Sequence, residues 1–332
     1  MIVSSEPRFS IIVPVHNGGK RFRRCLLSLA ALESPPAEII VVADGETDGA
    51  WRMAEAIGAQ ALKVPVTGGP ARARNLGARA AKGDILFFVD ADVTVPQDAV
   101  SQMAAAFQSN PELAAVFGSY DDEPLETNFL SQYKNLLHHY VHQTANREAS
   151  TFWAACGAIR REVFLAMSGF DEGYRRPSIE DIELGYRLKK AGYNIGLLKA
   201  LQVKHLKRWN VRSLLKADFF CRALPWTALI LSAGPFIDDL NLKISNRISV
   251  ILIFLLLLAL LGAWFVPSVM VFAMVVAVAL LAFNWPLYRF FYDKRGFGFA
   301  IKTIPWHWFY FLYSGLAFMI GFVKHRLKKH LP

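Results

Sequence analysis

The sequence predicts an α/β domain with a parallel sheet, followed by a basic segment and a C-terminal region of apolar helices. In the first 120 residues, short apolar runs alternate with helical patterns, an arrangement typical of a parallel sheet. After residue 247, long stretches carry no charged side chain. The chain has 332 residues, and its hydrophobic fraction of 54% exceeds the roughly 45–50% that is usual for soluble domains.

Four strands and three helices are predicted in the first 90 residues. Apolar runs predict strands, and apolar residues at helical spacing predict helices. The strands are expected at 9–14, 38–43, 61–66 and 85–89, and the helices at about 20–32, 48–57 and 70–81. Three of these strands end in polar or glycine-rich turns, which are expected to lie together at one edge of the sheet.

The same reasoning extends the domain to about residue 208. It predicts strands at 113–120 and 152–159, and helices at 124–143, 162–167 and 182–191, the last closed by Gly192. Residues 209–224 form an amphipathic pattern in which Val211 and Leu214 oppose Arg212 and Lys216. Because this segment is rich in Lys and Arg and lies just before the apolar region, we predict a helix that lies in the membrane interface.

Three uncharged stretches follow, at 248–266, 268–288 and 304–323. About 20 apolar residues span a bilayer, so the first two predict a transmembrane hairpin. The third contains Pro305 and His307, and both a span and a re-entrant or interfacial helix remain open for it. The predicted organisation is therefore a domain at 1–208, a juxtamembrane segment at 209–247 and a transmembrane region at 248–332.

The distribution of charge favours a membrane partner over nucleic acid. The net charge is +10, and the basic residues cluster between Lys199 and Arg222 and beside the apolar stretches, where anionic headgroups would meet them. The sequence contains no recognisable nucleic-acid-binding motif. The chain begins with a strand rather than a basic leader, so the polar domain is expected on the cytoplasmic side. The positive-inside rule supports this cytoplasmic placement at Lys243 and Arg247, before the first apolar stretch. The basic C-terminal tail conflicts with the rule if the third apolar stretch spans the membrane.

Asp90-Ala91-Asp92 follows the apolar run at 85–89. Carboxylates at positions i and i+2 of a strand share a face, and at a strand end they point into the crevice where α/β sheets bind ligands. Hard oxygen ligands suit Mg²⁺ or Mn²⁺, which neutralise a diphosphate. The alternative is an acidic pair that caps the helix after Pro96.

Five ordered motifs extend this interpretation. They are Ile11-Ile12-Val13-Pro14-Val15-His16-Asn17, Val41-Val42-Ala43-Asp44-Gly45-Glu46-Thr47-Asp48, Ala73-Arg74-Asn75-Leu76-Gly77, Gly83 to Asp92, and Glu180-Asp181-Ile182-Glu183-Leu184-Gly185-Tyr186-Arg187-Leu188. In order and spacing, residues 8 to 210 resemble the family 2 glycosyltransferases. The resemblance implies the GT-A fold, a Rossmann-like mixed sheet flanked by helices. It also implies a nucleotide-sugar donor, with UDP or GDP as the nucleotide, and a bacterial inner-membrane location.

The resemblance assigns a donor pocket to the first three motifs. Asp44 would hold the nucleobase, and Pro14 and Asn17 would bound the same pocket. Ala43 stands where the family usually has a first aspartate, which weakens the inference that the base is uracil. Arg74 follows a glycine turn at a helix start, where it would meet phosphate oxygens.

The remaining site residues follow from the last two motifs. Asp90 would approach the ribose and Asp92 would bind the metal, with His205 as a further ligand. Asp181 would be the general base of an inverting transfer, and Glu180 would touch the acceptor or orient the loop. Without the other motifs, an acidic pair at this place is more often a partner of a helix N-terminus.

Arg208, Trp209, Arg212 and Lys216 are the predicted contacts to a lipid acceptor. The run from His205 to Trp209 is similar to the Gln-x-x-Arg-Trp motif of processive polysaccharide synthases, with His205 in place of glutamine, which argues against processivity. We therefore expect a metal-dependent inverting glycosyltransferase with a lipid-associated acceptor. A soluble acceptor, or a non-catalytic subunit that retains the fold, remains as an alternative.

Overall fold

In a computed structural model of the chain, which describes residues 7–233 and 240–330, two compact units are present, Met1–Arg208 and Trp209–Pro332. The first unit is built on a mixed sheet of eight strands within the described residues, in the order β3-β2-β1-β4-β7-β6-β8-β5. The strands are β1 (Phe9–Val15), β2 (Glu38–Asp44), β3 (Gln60–Val64), β4 (Ile85–Val89), β5 (Val93–Thr94), β6 (Leu113–Tyr120), β7 (Cys156–Arg160) and β8 (Asn194–His205).

Helices flank this sheet, as the sequence predicted. They are α1 (Gly19–Ala30), α2 (Ala50–Glu55), α3 (Pro70–Ala80), α4 (Ala99–Ser109), α5 (Phe129–Thr144), α6 (Arg161–Ala166) and α7 (Glu180–Lys190). Because helices cover both faces, consecutive residues such as Phe87 and Phe88 are both fully buried. Gly77 of α3 lies so close to Ile12 of β1 that a Cβ atom there would come within 2.5 Å of the isoleucine side chain.

The parallel half of the sheet sets the position of the candidate site. β1 pairs with β2 and β4, and β2 pairs with β3, all in parallel. The carboxyl ends of these strands therefore share an edge, which carries Asn17, Asp44 and Asp90. This arrangement is the one that the alternating pattern predicts.

The other half contains a strand that the sequence did not predict. β8 is a 12-residue strand that pairs in parallel with β6 and antiparallel with β5, with Val93 opposite His205. The predicted strand at 152–159 begins later, at Cys156, and the predicted helix at 124–143 begins at Phe129. Helix α7 starts at Glu180 rather than at residue 182, so Glu180 and Asp181 belong to its first turn.

The second unit is helical in its described residues. It contains α8 (Val211–Leu215), a π-helical stretch (Lys216–Ala223), α9 (Leu224–Ala233), a 3₁₀ turn (Leu240–Leu242), α10 (Ile244–Ala263), α11 (Val269–Phe283), α12 (Trp285–Arg295) and α13 (Phe297–His330). The amphipathic helix predicted at 209–224 thus continues to Ala233, with a π-helical middle. Arg212, Lys216 and Phe220 are exposed on it, whereas Leu214 is buried.

Two of the described helices are long and apolar enough to cross a membrane. They are α10, with a mean hydropathy of 2.4, and Phe297–Leu327 of α13, with 1.2. The stretch at 268–288 is not one straight helix, because α11 and α12 meet at a bend of 61°, and the pair is either a broken third span or a re-entrant loop. At the bend, the Asn284 side-chain amide donates to Ser249 and to the Leu280 carbonyl, and Pro286 supplies no backbone N–H. The third stretch, at 304–323, lies within the continuous helix α13.

These helices pack through one apolar face and expose another. Ile253, Leu256, Leu280 and Phe311 form a core among α10, α11 and α13. Outward-facing residues of α10 and α11 remain exposed, including Leu258 at 65% and Val278 at 64%. Exposed apolar surface on this scale is typical of contact with lipid or protein.

Candidate active site

Asp92 and His205 lie together at the end of β4. The antiparallel pairing of β5 with β8 sets their backbones, and the Leu206 N–H donates to the Asp92 carbonyl at 2.8 Å. The His205 Nε2 atom is 3.7 Å from the Asp92 Oδ2 atom. Two residues that are 113 positions apart in the sequence, and that were predicted as metal ligands, therefore meet through a strand that the sequence analysis missed.

This pair fits a divalent cation. Two atoms that bind one Mg²⁺ at about 2.1 Å must lie within about 4.2 Å of each other, and the Asp92–His205 distance satisfies this limit. Burial raises the pKa of Asp92, but His205, Lys207 and Arg21 together lower it to about 2, so the carboxylate is ionised. Within the residues that the structure describes, no group of three His, Cys, Asp or Glu side chains is arranged to hold a metal. Further ligands would therefore come from donor phosphates and water, as Mg²⁺ commonly requires.

Arg74 bridges two carboxylates in the centre of the site. Its buried guanidinium donates from Nη2 to the Asp90 Oδ1 atom at 2.6 Å and from Nη1 to the Glu180 Oε1 atom at 2.8 Å. Burial lowers the pKa of Arg74, but Asp90 and Glu180 outweigh this effect and raise it, so the side chain stays charged. The contact of Arg74 with phosphate stays a prediction, and the contacts of its guanidinium in the structure are with these two carboxylates. Arg74 links the end of β4 to the start of α7.

The neighbouring residue Asn75 has a role that the sequence analysis missed. Its side-chain amide donates to the Phe170 carbonyl at 2.8 Å and to Glu172 at 3.0 Å, and its oxygen accepts from the Phe170 N–H at 2.9 Å. Asn75 therefore holds the loop that leads from α6 to α7. The Ala73-Arg74-Asn75 motif was the available signal, although its long-range partners could not be deduced from it.

Glu180 and Asp181 have different environments. Glu180 is buried, and it accepts from Arg74 and from the Ser178 N–H at 2.9 Å. Asp181 is half-buried, and it accepts from the Ala154 N–H at 3.1 Å and from the Ile182 N–H at 2.8 Å. Glu180 is thus fully used in positioning, whereas the Asp181 carboxylate is partly accessible.

The pKa of Asp181 is raised to about 6. Burial is the main cause and the negative charge of Glu180 is the second, while Arg74 and the two backbone N–H groups act in the opposite direction. A carboxylate that titrates near the working pH is suited to act as a general base. This environment favours Asp181 over Glu180 for that role.

Asp44 is engaged by the turn that precedes α3. Its buried carboxylate accepts from the Thr67 hydroxyl at 2.8 Å and from the Gly68 and Gly69 N–H groups, each at 2.9 Å. Gly69 adopts a φ of 91°, and a Cβ atom there would lie 2.4 Å from the Arg175 carbonyl oxygen. Asp44 therefore shapes the turn, and a nucleobase contact would use its remaining lone-pair capacity.

Asn17 and Pro14 bound the same edge. Asn17 has a φ of 51°, and its side-chain oxygen accepts from the Thr47 N–H at 2.8 Å. Pro14 lies opposite Val42 in the pairing of β1 with β2. These contacts hold the loop after β1 against the loop after β2, so the residues predicted to form one pocket are neighbours.

Comparison with known proteins identifies the domain. The family model described as "Glycosyl transferase family 2" matches residues 10–167. The match covers a little under half of the chain, so it identifies residues 10–167, rather than the whole chain, as similar to this family.

Curated relatives agree with this assignment. Over 250 residues the chain is 25% identical to the uncharacterized glycosyltransferase YfnE of Bacillus subtilis, which covers 59% of this chain and 64% of that protein. It is 29% identical over 125 residues to glycosyltransferase GlyG of Streptococcus pneumoniae, covering 36% of this chain and 42% of that protein. The chain thus spans less than two thirds of the length of these relatives.

Solved structures show the same GT-A fold. TarS 1–349 of S. aureus in complex with UDP-GlcNAc superposes with a TM-score of 0.54 at 19% identity, over 68% of this chain and 66% of that one. The mannosyltransferase PcManGT from Pyrobaculum calidifontis, in complex with GDP-Man and Mn²⁺, superposes with a TM-score of 0.58 at 17% identity. The superposition covers 95% of this chain and 88% of that one. At these identities the likeness concerns the fold alone.

The predicted acceptor contacts differ in exposure. Arg208, at the end of the first unit, has a side chain that is 72% exposed, with its Nε atom 3.9 Å from Glu126. Arg212 and Lys216 are exposed in the second unit. Trp209 is only 4% exposed, so its buried indole does not belong to the surface on which the sequence analysis placed it.

Proposed function

We propose that this family 2 glycosyltransferase catalyses metal-dependent, inverting transfer of a sugar from a UDP- or GDP-sugar to a lipid-associated acceptor. One observation carries the proposal: Arg74 joins Asp90, two residues before the metal-binding candidate Asp92, to Glu180, the residue before Asp181. In this arrangement Asp92 and His205 would serve the leaving diphosphate, and Asp181 would serve the nucleophile.

On the donor side, Asp92 and His205 would hold Mg²⁺ or Mn²⁺. When bound, the cation neutralises the charge that develops on the leaving nucleoside diphosphate. Asp90 would contact the ribose through the carboxylate oxygen that does not bind Arg74. The edge formed by Pro14, Asn17 and Asp44 would receive the nucleobase.

On the acceptor side, Asp181 accepts the proton of the attacking hydroxyl. Attack from the face opposite the leaving group inverts the anomeric centre, which requires a base on that face. Glu180 and Arg74 act as positioning residues, since both are buried and bonded to each other, and Arg74 also binds Asp90.

A lipid-associated acceptor is supported by the second unit. Its long apolar helices expose large apolar side chains, which favours an integral membrane protein. Exposed Arg212 and Lys216 would attract anionic headgroups. Lys243 and Arg247 at the start of α10 favour the cytoplasmic face for that end of the helix and for the catalytic domain.

The test uses the full chain in anionic lipid nanodiscs, with release of nucleoside diphosphate measured for a panel of UDP- and GDP-sugars. We expect turnover with Mn²⁺ or Mg²⁺ and loss of turnover with EDTA. Asp181→Asn should keep donor affinity and lower turnover by about 10²–10⁴-fold. Turnover that is independent of metal, or an Asp181→Asn variant within a few-fold of the parent, would contradict the proposal.

A further inference from the structure

Trp153 lies where the two sides of the site meet. It is half-buried and belongs to the segment before β7. The next residue, Ala154, donates its N–H to the Asp181 carboxylate at 3.1 Å, and the Ala155 carbonyl accepts from the Asp90 N–H at 3.2 Å. The backbone around Trp153 is thus bonded to the general base on one side and to the donor-binding strand end on the other.

The indole ring is also held in place. Tyr120 contacts it edge-on with a centroid distance of 4.7 Å, and His142 does so at 5.0 Å. Tyr120 in turn stacks on the His205 ring at 4.6 Å and 15°. Trp153 is therefore a rigid aromatic side chain that is tied through Tyr120 to the metal-binding pair and still partly accessible.

The backbone that carries Trp153 has little freedom. A Cβ atom on Gly157 would lie 2.3 Å from the Trp153 carbonyl oxygen, and one on Gly185 of α7 would lie 2.2 Å from the Phe152 nitrogen. Helix α7, which carries Asp181, therefore packs directly on this segment. A ring that is fixed relative to the base is suited to position a substrate for reaction.

We propose that Trp153 is the stacking platform of an acceptor subsite that takes a sugar ring, so that the acceptor is a glycoside hydroxyl on a glycolipid rather than a bare lipid phosphate. This inference rests on the proposed function and specifies its acceptor. Rigid aromatic rings present an apolar face, and the C–H face of a pyranose is the part of a sugar that can pack on it.

The presence of a base points the same way. A phosphate monoester is already ionised near neutral pH and needs no group to remove a proton, whereas a sugar hydroxyl does. In the reaction, the hydroxyl oxygen forms a bond to the anomeric carbon, and the bond from that carbon to the diphosphate oxygen breaks. The electron pair leaves with the nucleoside diphosphate, and the hydroxyl proton passes to Asp181.

The experiment compares octyl glycosides of glucose, galactose, mannose and N-acetylglucosamine with undecaprenyl phosphate as acceptors for the full chain in nanodiscs. We expect transfer to at least one octyl glycoside. Trp153→Ala should raise the KM for that glycoside by about tenfold, which is the size of a good aromatic contact, and Trp153→Phe should raise it less. The donor Kd should stay unchanged in both variants, which also shows that they fold. Trp51→Ala is the matched control, because Trp51 lies on α2 and its ring contacts Lys63.

Three results would overturn the inference. The first is transfer to undecaprenyl phosphate and to none of the glycosides, and the second is transfer to neither acceptor class while donor binding is intact. The third is a Trp153→Ala variant whose donor Kd changes while its acceptor KM does not, which would place the ring against the donor. A parent protein that binds no nucleotide sugar would instead refute the proposed function itself.

Discussion

Replacing Glu180 with glutamine should move the pH dependence of the enzyme without removing its base. Glu180 contributes to the raised pKa of Asp181 in two ways. Its own charge opposes ionisation of Asp181, and it shares the positive charge of Arg74, which would otherwise stabilise the Asp181 carboxylate. Neutralising Glu180 therefore lowers the pKa of Asp181 through both effects.

The magnitude follows from the environment of Asp181. Its pKa stands at about 6, raised from 3.8, with burial as the larger cause and Glu180 as the second. Because burial is unchanged in Glu180→Gln, only part of the rise can disappear. We expect the acidic limb of the pH–rate profile to shift to lower pH by about one unit, as is usual for the loss of one nearby charge. In the proposed mechanism the base is ionised Asp181, so the variant should stay active at lower pH than the parent.

The assay is kcat/KM for the acceptor between pH 4.5 and 8.5, with saturating donor. Glu183→Gln is the matched control, because Glu183 lies in the same turn of α7 but pairs with Arg187 at 2.7 Å. The control should leave the limb in place. The substitution at Glu180 also puts an amide group against the Ser178 N–H or Arg74, which should lower thermal stability because an unsatisfied buried donor costs about 1–3 kcal/mol. An acidic limb at the same pH in Glu180→Gln and the parent would refute this reasoning.

Three further variants test separate parts of the protein. Asp44→Asn would place an amide group against the N–H groups of the turn before α3, and a misplaced hydrogen-bond donor of this kind costs about 1–3 kcal/mol. The KM for the nucleotide sugar should therefore rise about tenfold. An unchanged KM for the nucleotide sugar in steady-state kinetics would argue against this role. Arg74→Lys cannot bridge Asp90 and Glu180 with one ammonium group, and calorimetric melting should show a large loss of stability, since breaking a buried pair costs about 3–5 kcal/mol; a parent-like melting temperature would contradict the bridging role. Reversing the charge of Arg212 and Lys216 to glutamate should raise the KM for a lipid acceptor in anionic nanodiscs by about tenfold or more, because each basic residue near the surface contributes about 1 kcal/mol. Hydrolysis of the donor should stay unchanged. A KM equal to that of the parent would favour a soluble acceptor.

Local patterns in the sequence were sufficient for the parallel half of the fold. β1, β2 and β4 are largely apolar runs that end in polar turns, whereas β3 carries exposed Gln60 and Lys63, and each helix between the strands has apolar residues at regular spacing. The shared edge of Asn17, Asp44 and Asp90 follows from that alternation alone. The parallel half of the sheet and its flanking helices were thus predictable from local patterns, whereas the mixed character of the whole sheet was implied only by the family resemblance.

Long-range pairing was not predictable in the same way. β8 mixes buried and half-buried residues over 12 positions, so it lacks the continuous apolar run of a central strand, and its pairing with β5 depends on residues about 110 positions apart. Arg74 was assigned to phosphate because a helix start after glycines is a common anion site, and its contacts with Asp90 and with the buried Glu180 could not be deduced from that local pattern. Trp209 carries no local signal of burial. In each case the deciding partner comes from tertiary structure.

Metal-dependent donor binding at Asp92 tests the central claim most directly. Isothermal titration calorimetry of the full chain with UDP-GlcNAc and GDP-mannose should show that at least one binds with Mn²⁺ and only weakly with EDTA. Asp92→Asn should abolish this difference. Asp98→Asn should preserve it, because Asp98 is exposed and accepts a hydrogen bond from Gln102. Equal donor affinity with and without Mn²⁺ in the parent, or an unchanged metal dependence in Asp92→Asn, would contradict the account.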